Sequence, residues 1–183
     1  MKILNSIILS LTLLFFSACG TEEHIDTTRV FDLWDYMTSS SNYEVGYDIY
    51  ENDVNTGSYL ETHRQLNLEK TVYERQSAFG TTTLYLSSSQ ILMSEPTGNI
   101  NILRYIYLGD RGVFQSPDIQ LCSFDRFYDN YLSFHNVIQI VCTSRSGVYQ
   151  EFYYGYNEGI VSFYEKDGAF EKEYVKVSER AIF

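Results

Sequence analysis

Three cysteines and three histidines are the residues of this 183-residue chain best equipped for chemistry, and their spacing limits what that chemistry can be. His24, His63 and His135 stand far apart, and none belongs to a ligand-spaced pair. They read as ordinary solvated histidines, with His24 in a polar tether and His63 on the wet side of a strand. No metal site and no cofactor is implied. There is no Gly-x-Ser-x-Gly elbow, no phosphate-cradling glycine loop and no His-Glu-x-x-His pair. The stretch DVNTG from Asp53 to Gly57 starts like a calcium loop but lacks the acidic fifth position, the glycine sixth and a closing Glu, so a hairpin turn is expected there. Glu61, Glu69, Glu74, Glu171 and Glu173 fall among Lys and Arg on sheet faces, a pattern better suited to cross-strand charge pairs than to an acid/base couple. A non-enzymatic protein is therefore expected; an enzyme of unknown type would need a set assembled from distant residues.

The cysteines are more informative. Cys19 ends an apolar run, Ile3 to Phe16, that follows Met1-Lys2 and is broken only by Asn5, Ser6, Ser10 and Thr12. A basic start, a short apolar core and small residues before a cut are the parts of a secretory signal. The run falls short of the roughly 20 apolar residues that a membrane helix needs. Phe16-Ser17-Ala18-Cys19 resembles the lipobox of bacterial lipoproteins, with Phe16 where Leu is usual. That resemblance implies cleavage between Ala18 and Cys19 and acyl chains, palmitate among them, on the cysteine. Each buried methylene contributes roughly 0.8 kcal/mol, so two or more chains anchor stably. The partner so implied is the membrane itself, through lipid on Cys19. Gly20 replaces the Asp that usually retains such proteins at the inner membrane, which points to the outer membrane of the cell envelope, facing the periplasm or the surface.

With Cys19 acylated, Cys122 and Cys142 are the remaining thiols, and an exported pair in an oxidising compartment tends to join. A structural disulfide is expected, closing a loop of about 20 residues and contributing roughly 3 kcal/mol. A redox pair or two metal ligands are the alternatives, but Cys-x-x-Cys spacing and a histidine cluster are both missing.

These residues need a scaffold. Three segments are expected: a signal peptide over 1–18, a lipidated tether over 19–27 and a single β-rich domain over 28–183. Removing 1–18 takes Lys2 and no acid, leaving 165 residues with 12 cations against 24 acids, a formal charge of −12. That length suits one domain with a real core. So acidic a chain repels phosphate backbones, which excludes nucleic acid as a partner. Seventeen Tyr and twelve Phe against two Pro describe a folded, aromatic-rich chain.

Val30, Trp34 and Met37 recur at helical spacing, which predicts a short helix over 29–38 capped by Thr27 or Thr28. Beyond it, alternation dominates: Tyr43, Val45, Tyr47 and Ile49 oppose Glu44, Gly46, Asp48 and Tyr50. Further strands are expected at 59–66, 68–76, 81–86, 90–94, 99–108, 137–143, 148–154, 160–165 and 172–177, separated by turn signals such as Asn55-Thr56-Gly57, Arg145-Ser146-Gly147 and Asp167-Gly168. One exception is Phe124, Phe127, Tyr128 and Tyr131, spaced as one face of a helix near 124–133 behind a Ser123 cap. The expected fold is mainly β, a single antiparallel meander, strongly curved or half-barrel-like, with two short helices.

The segment 147–168 pairs an aromatic strand with a glycine turn and a Gly-hydrophobic-Val strand. On Tyr153, Tyr154, Gly155, Gly159, Ile160 and Val161 it resembles the terminal hairpin of many uncharacterised, sheet-rich bacterial lipoproteins. Some proteins of that style are half-barrel lipid carriers. The resemblance implies a cup for an acyl chain lined by Trp34, Phe124, Tyr128, Phe152 and Ile160; the competing reading packs the same aromatics into a closed core. The function expected is a lipid-anchored envelope protein with a binding or structural role towards an unidentified protein partner, or else a carrier of an apolar ligand.

Overall fold

Alternating aromatic and polar residues make one face of a strand wet and the other dry, and the computed structural model builds nearly the whole chain from such strands. It describes residues 27–38, 42–77 and 80–181. The signal segment, Cys19 and His24 lie outside the described residues. The elements are β1 (Phe31–Asp32), α1 (Leu33–Met37), β2 (Tyr43–Glu51), β3 (Val54–Gln65), β4 (Val72–Ser77), β5 (Gly80–Leu86), β6 (Gln90–Glu95), β7 (Gly98–Leu103), β8 (Tyr105–Ile106), β9 (Phe114–Gln115), β10 (Ile119–Tyr131), β11 (Phe134–Ser144), β12 (Tyr149–Gly155), β13 (Gly159–Asp167) and β14 (Phe170–Ala181).

Twelve strands form one antiparallel sheet in the order β10-β11-β12-β13-β14-β2-β3-β4-β5-β6-β7-β9. It comprises two meanders, β2 to β7 and β10 to β14, joined where β14 lies beside β2 along a register from Lys172–Glu51 to Ala181–Tyr43. The sheet curls until its ends meet. Gly109 N–H donates to the Phe124 carbonyl at 2.9 Å, Phe124 N–H to Asp110 at 2.9 Å, and Gly112 N–H to Cys122 at 2.7 Å. The result is a nearly closed barrel, as the expected half-barrel anticipated.

One end of this barrel is plugged. β1 pairs with β8 (Phe31 opposite Ile106), and α1 follows directly, its first turn capped by Asp32, whose carboxylate accepts from Trp34 N–H at 3.1 Å. Arg104 grips the same carboxylate through Nε at 2.9 Å and Nη2 at 2.7 Å. Leu33, Trp34, Tyr36 and Met37 are buried against Phe124, Ile138 and Tyr154 in the main core. The helix is thus shorter than expected and capped by Asp32, not Thr27 or Thr28, because Phe31 is committed to a ladder with β8. It is the one helix among the described residues, and no helix is long and apolar enough to cross a membrane.

The helix expected near 124–133 is instead part of β10. A bulge between Phe124 and Arg126 inserts one residue, so Phe124 faces Ile140 and Phe127 faces Ile138, both on the inner side although three residues apart. A strand with this slip imitates helical spacing. The hairpin turn between β2 and β3 also differs from expectation: Asn52 and Asp53 turn the chain with φ of 48° and 65°, the geometry of a tight two-residue hairpin, while Asn55 to Gly57 already lie in β3. Cys122 and Cys142 do form a disulfide, their Cα atoms 4.1 Å apart. With β10 a strand, the bridge links directly opposed residues of neighbouring strands rather than a helix to the sheet.

Candidate ligand site

Inward-facing positions follow from register. Tyr43, Val45 and Tyr47 of β2 stand opposite His63, Glu61 and Tyr59 of β3, so all six share the concave face. On β4, Arg75 lies opposite His63, with Tyr73 one step along the same face. A strand alternating Tyr73, Arg75 and Ser77 against Val72, Glu74 and Gln76 therefore sends an arginine into the barrel. Met93 of β6 approaches its Nη2 with Sδ at 3.8 Å.

Beside it sits a buried polar chain. His63 is fully enclosed, Tyr73 donates its hydroxyl to Nδ1 at 2.8 Å, and the Nε2–H donates to Glu61 at 2.9 Å. Tyr59 donates to the other Glu61 oxygen at 3.2 Å, so both carboxylate oxygens are engaged. Burial holds His63 below its ordinary value, against the opposing pull of Glu61. Burial would raise Glu61, but the His63 hydrogen bond, the Arg75 charge and Tyr59 together hold it down. The arrangement is a neutral imidazole between a phenol and a carboxylate. The expected place of His63 on a wet strand face is thus corrected: its side chain belongs to the dry face, stacked on Tyr43 at 5.0 Å.

Above this chain the barrel is hollow. A cavity of about 590 Å³ opens to solvent between β4, β6, β7 and β9 on one side and β11 to β13 on the other. Its wall is apolar, with Met93, Ile100, Phe114, Phe152, Ile160 and Phe163; its rim is polar, with Glu95, Asn99, Asp118 and Gln150 among the lining. A second hollow of about 270 Å³ shares Arg75, Glu95, Phe152, Ile160 and Phe163 with it, so Arg75 stands at the junction of both. Arg75 keeps part of its surface open, while its Nε is enclosed and has no hydrogen-bond partner. Burial opposes its charge, yet the Glu61 carboxylate, reinforced by Tyr154, Tyr47 and Tyr73, raises its already high pKa.

Of the residues expected to line a cup, Phe152 and Ile160 do so. Trp34 and Phe124 are sealed into the plugged end. Tyr128 lies on the outer face, donating to Gln139 at 3.0 Å within a cluster of Val137, Tyr153 and Val161. There Glu151 accepts from Tyr149 at 2.6 Å, from Gln139 at 2.9 Å and from Tyr153. His135 is exposed and bonds Asn130, in keeping with its expected surface role. Glu171 pairs with Lys166, as expected of cross-strand charges, whereas Glu173 accepts from Ser162. Among the described residues no cluster of His, Cys, Asp and Glu is arranged to hold a metal. Arg75, Met93, Phe114 and Phe163 escaped the sequence reading; the alternation of Arg75 with buried Tyr73 is the signal that would have found the first.

No family model and no curated protein matches this sequence. Among solved structures, the chain is similar to a Bacteroides fragilis protein that carries the name of an exported protein with a YmcC-like fold. The likeness covers 79% of this chain and 98% of that one, with a TM-score of 0.52 at 11% identity. At that identity the likeness shows the fold alone.

Proposed function

We propose that the chain is a non-enzymatic, lipid-anchored protein of the cell envelope that holds an apolar ligand in the open half of its barrel. The single observation carrying the ligand reading is the cavity of about 590 Å³, walled by aromatic and aliphatic side chains and rimmed by polar ones. Its volume lies within the roughly 300–1,000 Å³ typical of small-molecule sites, and a few polar groups in an apolar wall are their usual composition. A purely structural role, with aromatics interlocked throughout, fits the plugged end but not this hollow. Export is supported by the signal-like segment over 1–18, by the disulfide, which belongs in an oxidising compartment, and by the name of the Bacteroides protein. The lipobox-like run at Cys19 supports anchoring by acyl chains, and Gly20 supports the outer membrane as the address.

The ligand reading is tested by native mass spectrometry of the protein from its own cells and by a fluorescent apolar probe, N-phenyl-1-naphthylamine. Saturable binding, lost when Ile100→Trp fills the wall in a variant that still folds, is expected. A probe that binds both proteins equally, or neither, would refute the reading. For the anchor, Cys19→Ser is expected to leave the precursor uncleaved and unlabelled by radioactive palmitate; normal processing would remove that part of the proposal.

A further inference from the structure

Among the described residues Lys176 is a buried cation and Arg75 a half-buried one with an enclosed Nε, and the two are treated differently. Lys176 is enclosed, but its ammonium donates to Glu158 at 2.6 Å and to Glu179 at 2.8 Å, and lies over the rings of Tyr43 and Phe134. Its charge is answered on every side. Arg75 has no carboxylate within ion-pair distance among the described residues. Glu61, the nearest in electrostatic influence, has both oxygens taken by His63 and Tyr59. What Arg75 does have is a thioether sulfur at 3.8 Å and an Nε with no partner at all. An enclosed Nε–H left without an acceptor is costly, because a donor withdrawn from water without a replacement forfeits its hydration. Such a group persists where something else completes it.

The surroundings say what that could be. Arg75 stands at the level of His63, below an apolar wall of Met93, Phe152, Ile160 and Phe163 that rises to the polar rim. A molecule filling this space meets a planar cation where the two hollows join, and hydrocarbon and aromatic surface along the wall that leads from it to the polar rim. We propose that the cup selects single-chain amphiphiles with an anionic head, taken head first, so that a carboxylate or phosphate bonds the Arg75 guanidinium. This rests on the ligand reading above and narrows it to a chemical class. The guanidinium fork suits a flat or tetrahedral oxyanion better than any neutral head, and charge-assisted bonds of this kind are about twice as strong as neutral ones. Glu95 borders both hollows and opposes an incoming anion, so it lowers the affinity for anionic heads without distinguishing one from another.

The experiment compares dodecanoate, dodecyl phosphate and dodecan-1-ol by isothermal titration on the folded protein, in wild type, Arg75→Met and Arg75→Lys. In wild type, at least one anion is expected to bind about tenfold or more tightly than the alcohol, the size of one charge-assisted contact. Which anion binds better separates a fatty-acid from a phosphate-bearing source. Arg75→Met is expected to abolish that preference while keeping alcohol binding, Arg75→Lys to retain part of it, and Glu95→Gln to strengthen anion binding. Equal affinity for alcohol and anions in wild type, or an undiminished preference in Arg75→Met, would overturn the proposal and leave an apolar cup. Failure of all three ligands to bind wild type would overturn the cup as well. If Arg75→Met does not fold, the wild-type comparison and Arg75→Lys still decide.

Discussion

The two ends of the barrel are made from the same strands, and their inward-facing residues differ in a telling way. At the plugged end, Leu33, Ile91, Ile106, Phe124 and Ile138 show no exposed surface, and Trp34 and Met37 of α1 fill what the sheet alone would leave empty. A few residues along the same strands, Phe152, Phe163 and Ile100 remain half-buried and border a hollow. Polarity differs too: the plug is secured by Asp32 and Arg104 at its outer margin, whereas Arg75 stands inside the open half with little to bond. A curved sheet by itself makes a cup. It is the inserted segment 31–37 that turns one half into a core, so stability and binding are expected to separate along the barrel axis.

The largest expected effect breaks the packed end. Phe124→Ala removes an enclosed ring that meets Phe31 edge-on at 5.0 Å, and should lower unfolding free energy by about 3–5 kcal/mol in urea titration. Where the variant remains folded, its dodecanoate affinity should be unchanged; a parallel loss of binding would show that the two ends are not separable.

Next comes the disulfide, which touches both ends, since Cys122 belongs to the core and Cys142 also borders the cavity. The double variant Cys122→Ala with Cys142→Ala is expected to lose about 3 kcal/mol, the chain-entropy value for a closed loop of this size. It should also weaken amphiphile binding, which titration on the same protein would register.

The smallest effect sharpens the comparison through pH. His63 binds a proton less tightly when folded than its ordinary 6.5 would imply, so the unfolded chain gains protons first as acid is added. Stability from this group is complete above pH 6.5 and is lost as pH falls through the depressed folded value. One proton gives a slope of at most about 1.4 kcal/mol per pH unit. Glu61 extends the loss below 4.5. His63→Gln should flatten the upper part of the curve in urea titrations between pH 7 and 5; an unchanged slope would assign the loss elsewhere.

How much of this could be read beforehand depended on whether local pattern and long-range register agreed. Period-two alternation located the strands of both meanders except β10, without the short β1 and β9 and with β8 merged into β7, and the pairing of Cys122 with Cys142 followed from elimination and compartment. The misreadings share one cause. The bulge after Phe124 moves Phe127 to the inner face and leaves Tyr128 outside, and no local rule distinguishes that slip from a helical turn. Likewise, His63 and Arg75 look polar in isolation; only the neighbours brought in by β2 and β5 make their face a dry one. The cup residues Phe152 and Ile160 were legible because they lie in one hairpin with a clear turn signal, despite a bulge between Tyr153 and Tyr154; Gly155 there makes room for Glu158, and Asn157 and Gly159 take left-handed φ values of 59° and 70°. Phe114 and Met93 come from distant strands, and nothing in the sequence links them to that hairpin.

The seam where the sheet meets itself bears on how any occupant enters. Residues 109–113 close the ring through single irregular bonds to 122–124, with Gly109 and Gly112 at φ of 90° and 70°, in place of a continuous ladder. A ring fastened by a clasp can widen its girth by releasing the clasp, with the twelve-strand ladder left whole, and local opening of this kind costs less than global unfolding. Phe114 and the residues 116–119 just beyond the clasp line the cavity, while Phe124 within it is enclosed in the plugged end, so loosening the clasp is expected to reach both the mouth and the plug.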